Sequence, residues 1–316
     1  MNRKQFIAEV AAIAGLASVD AFGLLRISSA QNSVNVSKDI RDYPHITDVI
    51  TSNRVGIHFP IIVESCSDPK LGYLSEIPFL IELEVCKIWK ESLFEWDAIS
   101  VSGAGGLQQL MPPTAKIDLG LSIAESPEIN ELSIAVSENN RLQKEINTRV
   151  QSLHKEAESG DGDIASESIS NINKLRAEIK ELRGDKDIVY ARLQSAKKAY
   201  AEKIRSLSEK ELSQFDARFI PSLAVPAGLK YVVNMILECK RYFGGSIDIN
   251  IWRGIAAYNS GLKTTKDWKG MPFISQTVLY TRDILLNLTN MLELKYAYSI
   301  GDSNLIARTK ERFNIK

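Results

Sequence analysis

Two long runs with a seam residue every three or four positions constrain this chain more than any other feature. Between Glu128 and Ala157, the residues Leu132, Val136, Asn139, Gln143, Ile146, Val150, Leu153 and Ala157 alternate spacings of three and four, which is the seam of a heptad repeat. Asn139 and Gln143 are its polar positions. After the Gly-Asp-Gly-Asp step at Gly160 to Asp163, the pattern resumes through Ile172, Leu175, Ile179, Leu182, Lys186, Val189, Leu193, Ala196, Tyr200 and Leu207. Glu, Lys and Arg fill most other places. Two helices joined by a short Gly-rich turn predict an antiparallel coiled-coil hairpin over residues 125–212, with arms ~45 Å and ~60 Å long at ~1.5 Å per residue. Its charged faces are first of all solvated surface. An arm of this length also suits docking to a partner or self-association.

The chemistry is concentrated upstream, in Glu91 to Ala115, ESLFEWDAISVSGAGGLQQLMPPTA. Glu91 follows an apolar-periodic segment, Ile77 to Trp89, which predicts a carboxylate at the C-terminal end of a helix, held by a rigid element. Ala98, Ser100, Gly103, Ala104, Gly105 and Gly106 then let backbone approach a ligand without Cβ atoms in the way. Leu107, Leu110 and Met111 predict that helix resumes over Leu107 to Ala115, broken by Pro112-Pro113-Thr114.

This stretch resembles the signature of the soluble lytic transglycosylases, the SLT family related to goose-type lysozyme. Glu91, Ser92, Phe94, Ala98, Ser100, Gly103, Ala104, Gly106, Leu107, Gln109, Met111, Pro112, Thr114 and Ala115 fall in the family's register without a gap. Gln108 stands where the family has Met. Glu64-Ser65 and Glu125-Ser126 are also Glu-Ser pairs, and neither is followed by the rest. Further blocks follow in order: Gly228 and Tyr231 of a Gly-x-x-Tyr step, the RYFGG turn at Arg241 to Gly245, and AAYNSG at Ala256 to Gly261. Gln276-Thr277-Val278-Leu279-Tyr280 aligns with a family Glu-Thr-x-x-Tyr, its acid replaced by an amide that keeps hydrogen bonding and loses charge.

The resemblance implies a mainly α chain: a lysozyme-like (SLT) helical lobe interrupted by the inserted hairpin. The expected parts are an N-terminal helix and linker at 1–42, the first part of the lobe with the catalytic Glu at 43–120, the insertion at 125–212, and the second part with a C-terminal helix at 213–316. It further implies cleavage of the MurNAc-GlcNAc β-1,4 bond of peptidoglycan with formation of 1,6-anhydro-MurNAc. Glu91 is the implied acid and then base, and Ser100, Gln109, Tyr258, Asn259 and Gln276 are implied to bind substrate. An apolar setting from Phe94, Leu107 and Tyr258 is expected to raise the pKa of Glu91. A two-carboxylate hydrolase would need a second acid, and the nearest in sequence are Glu95 and Asp97. Two alternatives stay open: a hydrolysing muramidase, and a murein-binding structural or assembly component of an envelope machine or phage particle.

Composition narrows the remaining classes. Lys plus Arg and Asp plus Glu number 39 each, so no global field draws nucleic acid or an anionic membrane. Cys66, Cys86 and Cys239 are irregularly spaced and His45 and His58 lack metal spacing, so no metal or cofactor is expected. No uncharged stretch reaches the ~20 residues that span a bilayer. Residues 1–30 read either as a cleaved signal with a Ser28-Ser29-Ala30 site or as an amphipathic helix, since Glu9, Asp20 and Arg26 interrupt the apolar run. The expected location is the cell envelope or periplasm, reached by export or by delivery from a secretion machine or virion.

Overall fold

The computed structural model describes residues 36–68, 77, 79–158 and 166–315, and the expectations for residues 1–35 and for the Gly160–Asp163 turn lie outside them. The chain is mainly α, with no strand among the described residues and only isolated bridges. In chain order the helices are α1 (Pro44–Val49), α2 (Arg54–Cys66), α3 (Leu80–Ser92), α4 (Pro127–Glu158), α5 (Ser166–Ser206), α6 (Glu209–Phe215), α7 (Pro221–Phe243), α8 (Ile247–Ser260), α9 (Leu262–Asp267), α10 (Ser275–Ser299) and α11 (Ser303–Arg312).

These helices sort into two compact units that pass through the signature stretch: residues up to 96, 106–108 and 220 onward in one, residues 97–105 and 109–219 in the other.

The first unit is organised around α3. Leu80, Leu83, Val85, Cys86 and Ile88 bury nearly all round it, as a central helix does, and pack with α2 and α10 in one apolar cluster that α7 also lines. Gly254 marks the close approach of α8 to α7, where a Cβ would stand 2.7 Å from the backbone of Ile236. Burial extends to charged groups. His45 and Lys295 hold the Glu82 carboxylate at 3.1 and 2.7 Å, and keep it ionised, with its pKa down at about 2 despite burial. His58 is likewise interior, and burial lowers its pKa. Both histidines are therefore packing residues of this core.

The second unit contains the two long helices. Arg192 pairs with Glu131 at 2.7 Å and Glu138 at 3.2 Å, Arg149 meets Glu178 at 3.2 Å, and Asn171 reaches Glu156 at 3.4 Å. That order makes α4 and α5 antiparallel. Their buried stripe is Leu132, Ala135, Asn139, Leu142 and Ile146 against Ile179, Val189, Leu193, Ala196, Tyr200 and Ile204. Ala135 and Leu142 replace the expected Val136 and Gln143. Gln143 instead accepts a hydrogen bond from Lys186 at the edge of the stripe, because a polar pair is cheaper there than inside. Toward the far end Val150, Leu153, Ile172 and Leu175 stay partly exposed. Replacing residues 150–177 with a short Gly-Ser linker should therefore leave a cooperative melt within a few degrees of the parent, by circular dichroism. Loss of cooperativity would show that the far end carries the stability of this unit.

Residues 107–111 are not helical, contrary to the periodicity. Gly105 and Leu110 exchange backbone hydrogen bonds at 3.1 and 3.2 Å, and Gln109 sits at φ +46° between them. A tight turn satisfies the backbone there, and helix begins only at Pro112, passing into a π-helical turn over Thr114–Asp118.

Candidate functional site

Glu91 lies in the last turn of α3, which ends at Ser92 and is followed by Leu93 and Phe94, two successive non-glycine residues at φ +52° and +60°. Left-handed backbone costs each of them on the order of 1–2 kcal/mol, so this strain is held against the core by Phe94, which is 1% exposed. The Glu91 carboxylate is half-buried and accepts a hydrogen bond from the Tyr280 hydroxyl at 2.5 Å. Burial pushes its pKa up to about 7, while the Tyr280 hydrogen bond and the charges of Lys87 and Lys90 pull it down. An acid of that strength holds and releases a proton with similar ease near neutral pH.

Tyr258, on α8, does not bond Glu91. Its hydroxyl donates to the Gln108 carbonyl at 2.7 Å, and its ring packs edge-on to Tyr231, with centroids 5.5 Å apart. Burial and the Glu91 charge raise the hydroxyl pKa of Tyr258, and burial does the same for Tyr280, so both stay protonated. Asn259 accepts from the Thr277 hydroxyl at 3.0 Å, which joins α8 to the first turn of α10. Gln276 is exposed in that turn, one helical turn before Tyr280.

Beneath these residues lies a polar cluster that the periodicity of α3 conceals. Glu84 and Lys87 are 0% and 1% exposed and form an ion pair at 3.0 Å. Gln108, wholly buried, donates its amide to Glu84 at 2.6 Å, and the Lys87 ammonium stands 4.7 Å over the Tyr258 ring. Gly228 makes room for it, since a Cβ there would meet the Gln108 side chain at 2.4 Å. The only sequence signal was three charges, Glu82, Glu84 and Lys87, inside an apolar segment.

Ser100 and Gln109 belong to the second unit, and their polar groups are partly committed to their own turn. The Ser100 hydroxyl accepts from the Ala104 and Ser102 amides at 2.9 and 3.2 Å. Gln109 donates to the Ala98 carbonyl at 3.0 Å. The turn is gripped by Arg218, which donates to the carbonyls of Gly103 and Leu110 at 2.9 Å each. Asp216 fixes Arg218 at 2.6 Å and accepts from Tyr200 of α5 at 2.5 Å. Of the two other acids near Glu91 in sequence, Glu95 pairs with Arg54 at 2.6 Å and Asp97 with Arg205 at 2.5 Å.

Among the described residues, no cluster of His, Cys, Asp and Glu could hold a metal ion, and no helix is long and apolar enough to cross a membrane. No family model, curated protein or solved structure matches the chain.

Proposed function

We propose that the chain is a peptidoglycan lytic transglycosylase with a lysozyme-like lobe, and that Glu91 is its single acid and base. The observation that carries this reading is the Glu91 carboxyl: half-buried at a helix end, bonded to Tyr280, with a pKa of about 7, and followed by the SLT-like run. In the reaction, protonated Glu91 donates its proton to the oxygen bridging C1 of MurNAc to GlcNAc as the C1–O bond breaks. The MurNAc C6 hydroxyl attacks C1, its proton returns to the Glu91 carboxylate, and the products are a 1,6-anhydro sugar and a free GlcNAc hydroxyl. No water is consumed and the acid is regenerated. Since Glu95 and Asp97 are already engaged by arginines, a two-carboxylate hydrolysis is the weaker reading. Tyr258, Asn259 and Gln276, in the same unit as Glu91, would contact the glycan.

The test is digestion of purified sacculi followed by mass spectrometry of the released muropeptides. Anhydro-muramic ends are expected, and reducing ends alone would mean a hydrolase.

The α4–α5 pair is proposed as an inserted coiled-coil arm that recruits a protein partner or a second copy, in a protein that acts in the cell envelope. The exposed amide at Gln276 favours a second reading, in which the chain binds murein as a structural component with weak activity. Gln276→Glu decides between them. An acid one turn from Tyr280 should raise the pKa of Glu91, so activity is kept or increased and its alkaline limit moves up by a few tenths of a pH unit. No cleavage by either form would leave the structural reading.

A further inference from the structure

We propose that Lys87 is a positioning residue for the acid–base reaction. Its buried ammonium, fixed by Glu84 and by the face of Tyr258, stands one helical turn before Glu91 and steadies the carboxylate that forms when Glu91 gives up its proton. This inference rests on the reading of Glu91 as the acid.

The geometry gives the ion pair a direction. Along α3 the rise is ~1.5 Å per residue, so the backbone of Lys87 lies ~6 Å along the axis before that of Glu91, and the backbone of Glu84 ~10 Å before it. Of the two opposed charges, Lys87 weighs more on the Glu91 carboxyl than Glu84 does. Lys90 is nearer in sequence, but it is about one-third exposed and shares its charge with Asp283 at 2.7 Å, so water screens it. Lys87 is shielded from water at 1% exposure and acts through a medium of lower dielectric. The groups that bear on Glu91 are thus Glu84, Lys87 and Lys90 from α3, Tyr280 from α10 and Tyr258 from α8. Tyr280 is the one that touches it.

Burial alone would make Glu91 too reluctant an acid to protonate a leaving oxygen and then wait as a base. A buried cation counters that reluctance without entering the reaction. The same logic explains Gln108, the one position where the signature run departs from its family. Its amide satisfies a Glu84 oxygen, Gly228 admits it, and together they hold Lys87 beneath the site. A Met there would leave that oxygen without its donor.

The test uses full-length protein with carbon-13-labelled glutamate, the Glu91 signal being assigned by its loss in Glu91→Gln. In Lys87→Met the Glu91 titration midpoint should move up from about 7 by about one pH unit, and the alkaline limit of murein cleavage should move with it. Because a lone buried Glu84 can unfold the chain, Glu84→Gln/Lys87→Met is measured beside it. It should shift the same way by less, since it removes the opposing charge of Glu84 along with that of Lys87. An unmoved or lowered midpoint in the folded variant overturns the role of Lys87. Wild-type protein that fails to cleave murein, with the shift intact, overturns the proposed function and leaves the electrostatic assignment standing.

Discussion

Glu91→Gln should abolish murein cleavage, by about 10²–10⁴-fold, and at the same time stabilise the protein at alkaline pH. The first effect follows because the amide keeps the size of the acid and its place against Tyr280 but has no proton to donate. The second follows from linkage. Burial raises the folded-state pKa of Glu91 from 4.5 to about 7, so its favourable contribution is full below about pH 4.5 and is lost as pH rises through 7. Above that range the parent keeps a desolvated carboxylate that the variant lacks. Denaturant melts should therefore coincide at pH 4 and differ at pH 9, with Glu91→Gln the more stable by about 1–3 kcal/mol. Equal stability at both pH values would mean that Glu91 is solvated, and cleavage surviving above a few per cent would remove it as the acid.

The other large effect is expected at Arg218, which is 2% exposed and joins Asp216, Tyr200 and two carbonyls of the signature turn. Arg218→Met leaves Asp216 as a buried charge without its cation, and leaves the carbonyls of Gly103 and Leu110 without these donors. Breaking such a pair from one side costs about 3–5 kcal/mol, a large share of a total of about 5–15. Asp216→Asn/Arg218→Met removes both charges and should recover part of the loss. A single-variant loss below about 1 kcal/mol would show that water already reaches the pair. The contrast with the Gly-Ser replacement of residues 150–177 is direct. The near end of α5 contributes Tyr200 to this network, whereas the far end contributes partly exposed seam residues.

Spacing alone was enough to predict α4 and α5, because a three-and-four alternation sustained over many turns has no other regular solution. It did not identify which stripe is buried. Leu132, Asn139 and Ile146 fit two registers, and contact with α5 selected Ala135 and Leu142 over Val136 and Gln143. The position of Glu91 at a helix end was legible for the same local reason.

Three features depended on residues far apart in the chain. Leu107 to Leu110 mimic a helical period, yet pairing with Gly105 and the grip of Arg218 keep them a turn. Tyr280, not Tyr258, reaches Glu91, since α10 packs on α3 while the Tyr258 hydroxyl is taken by Gln108. Glu84 and Lys87 are charges in an apolar run. They are interior because Gln108 and Tyr258 supply the partners, and a buried charge is tolerable only where such partners converge. The two long helices are local properties and were readable from the sequence, whereas the turn at Leu107 to Leu110 and the environment of each charge were decided by tertiary packing.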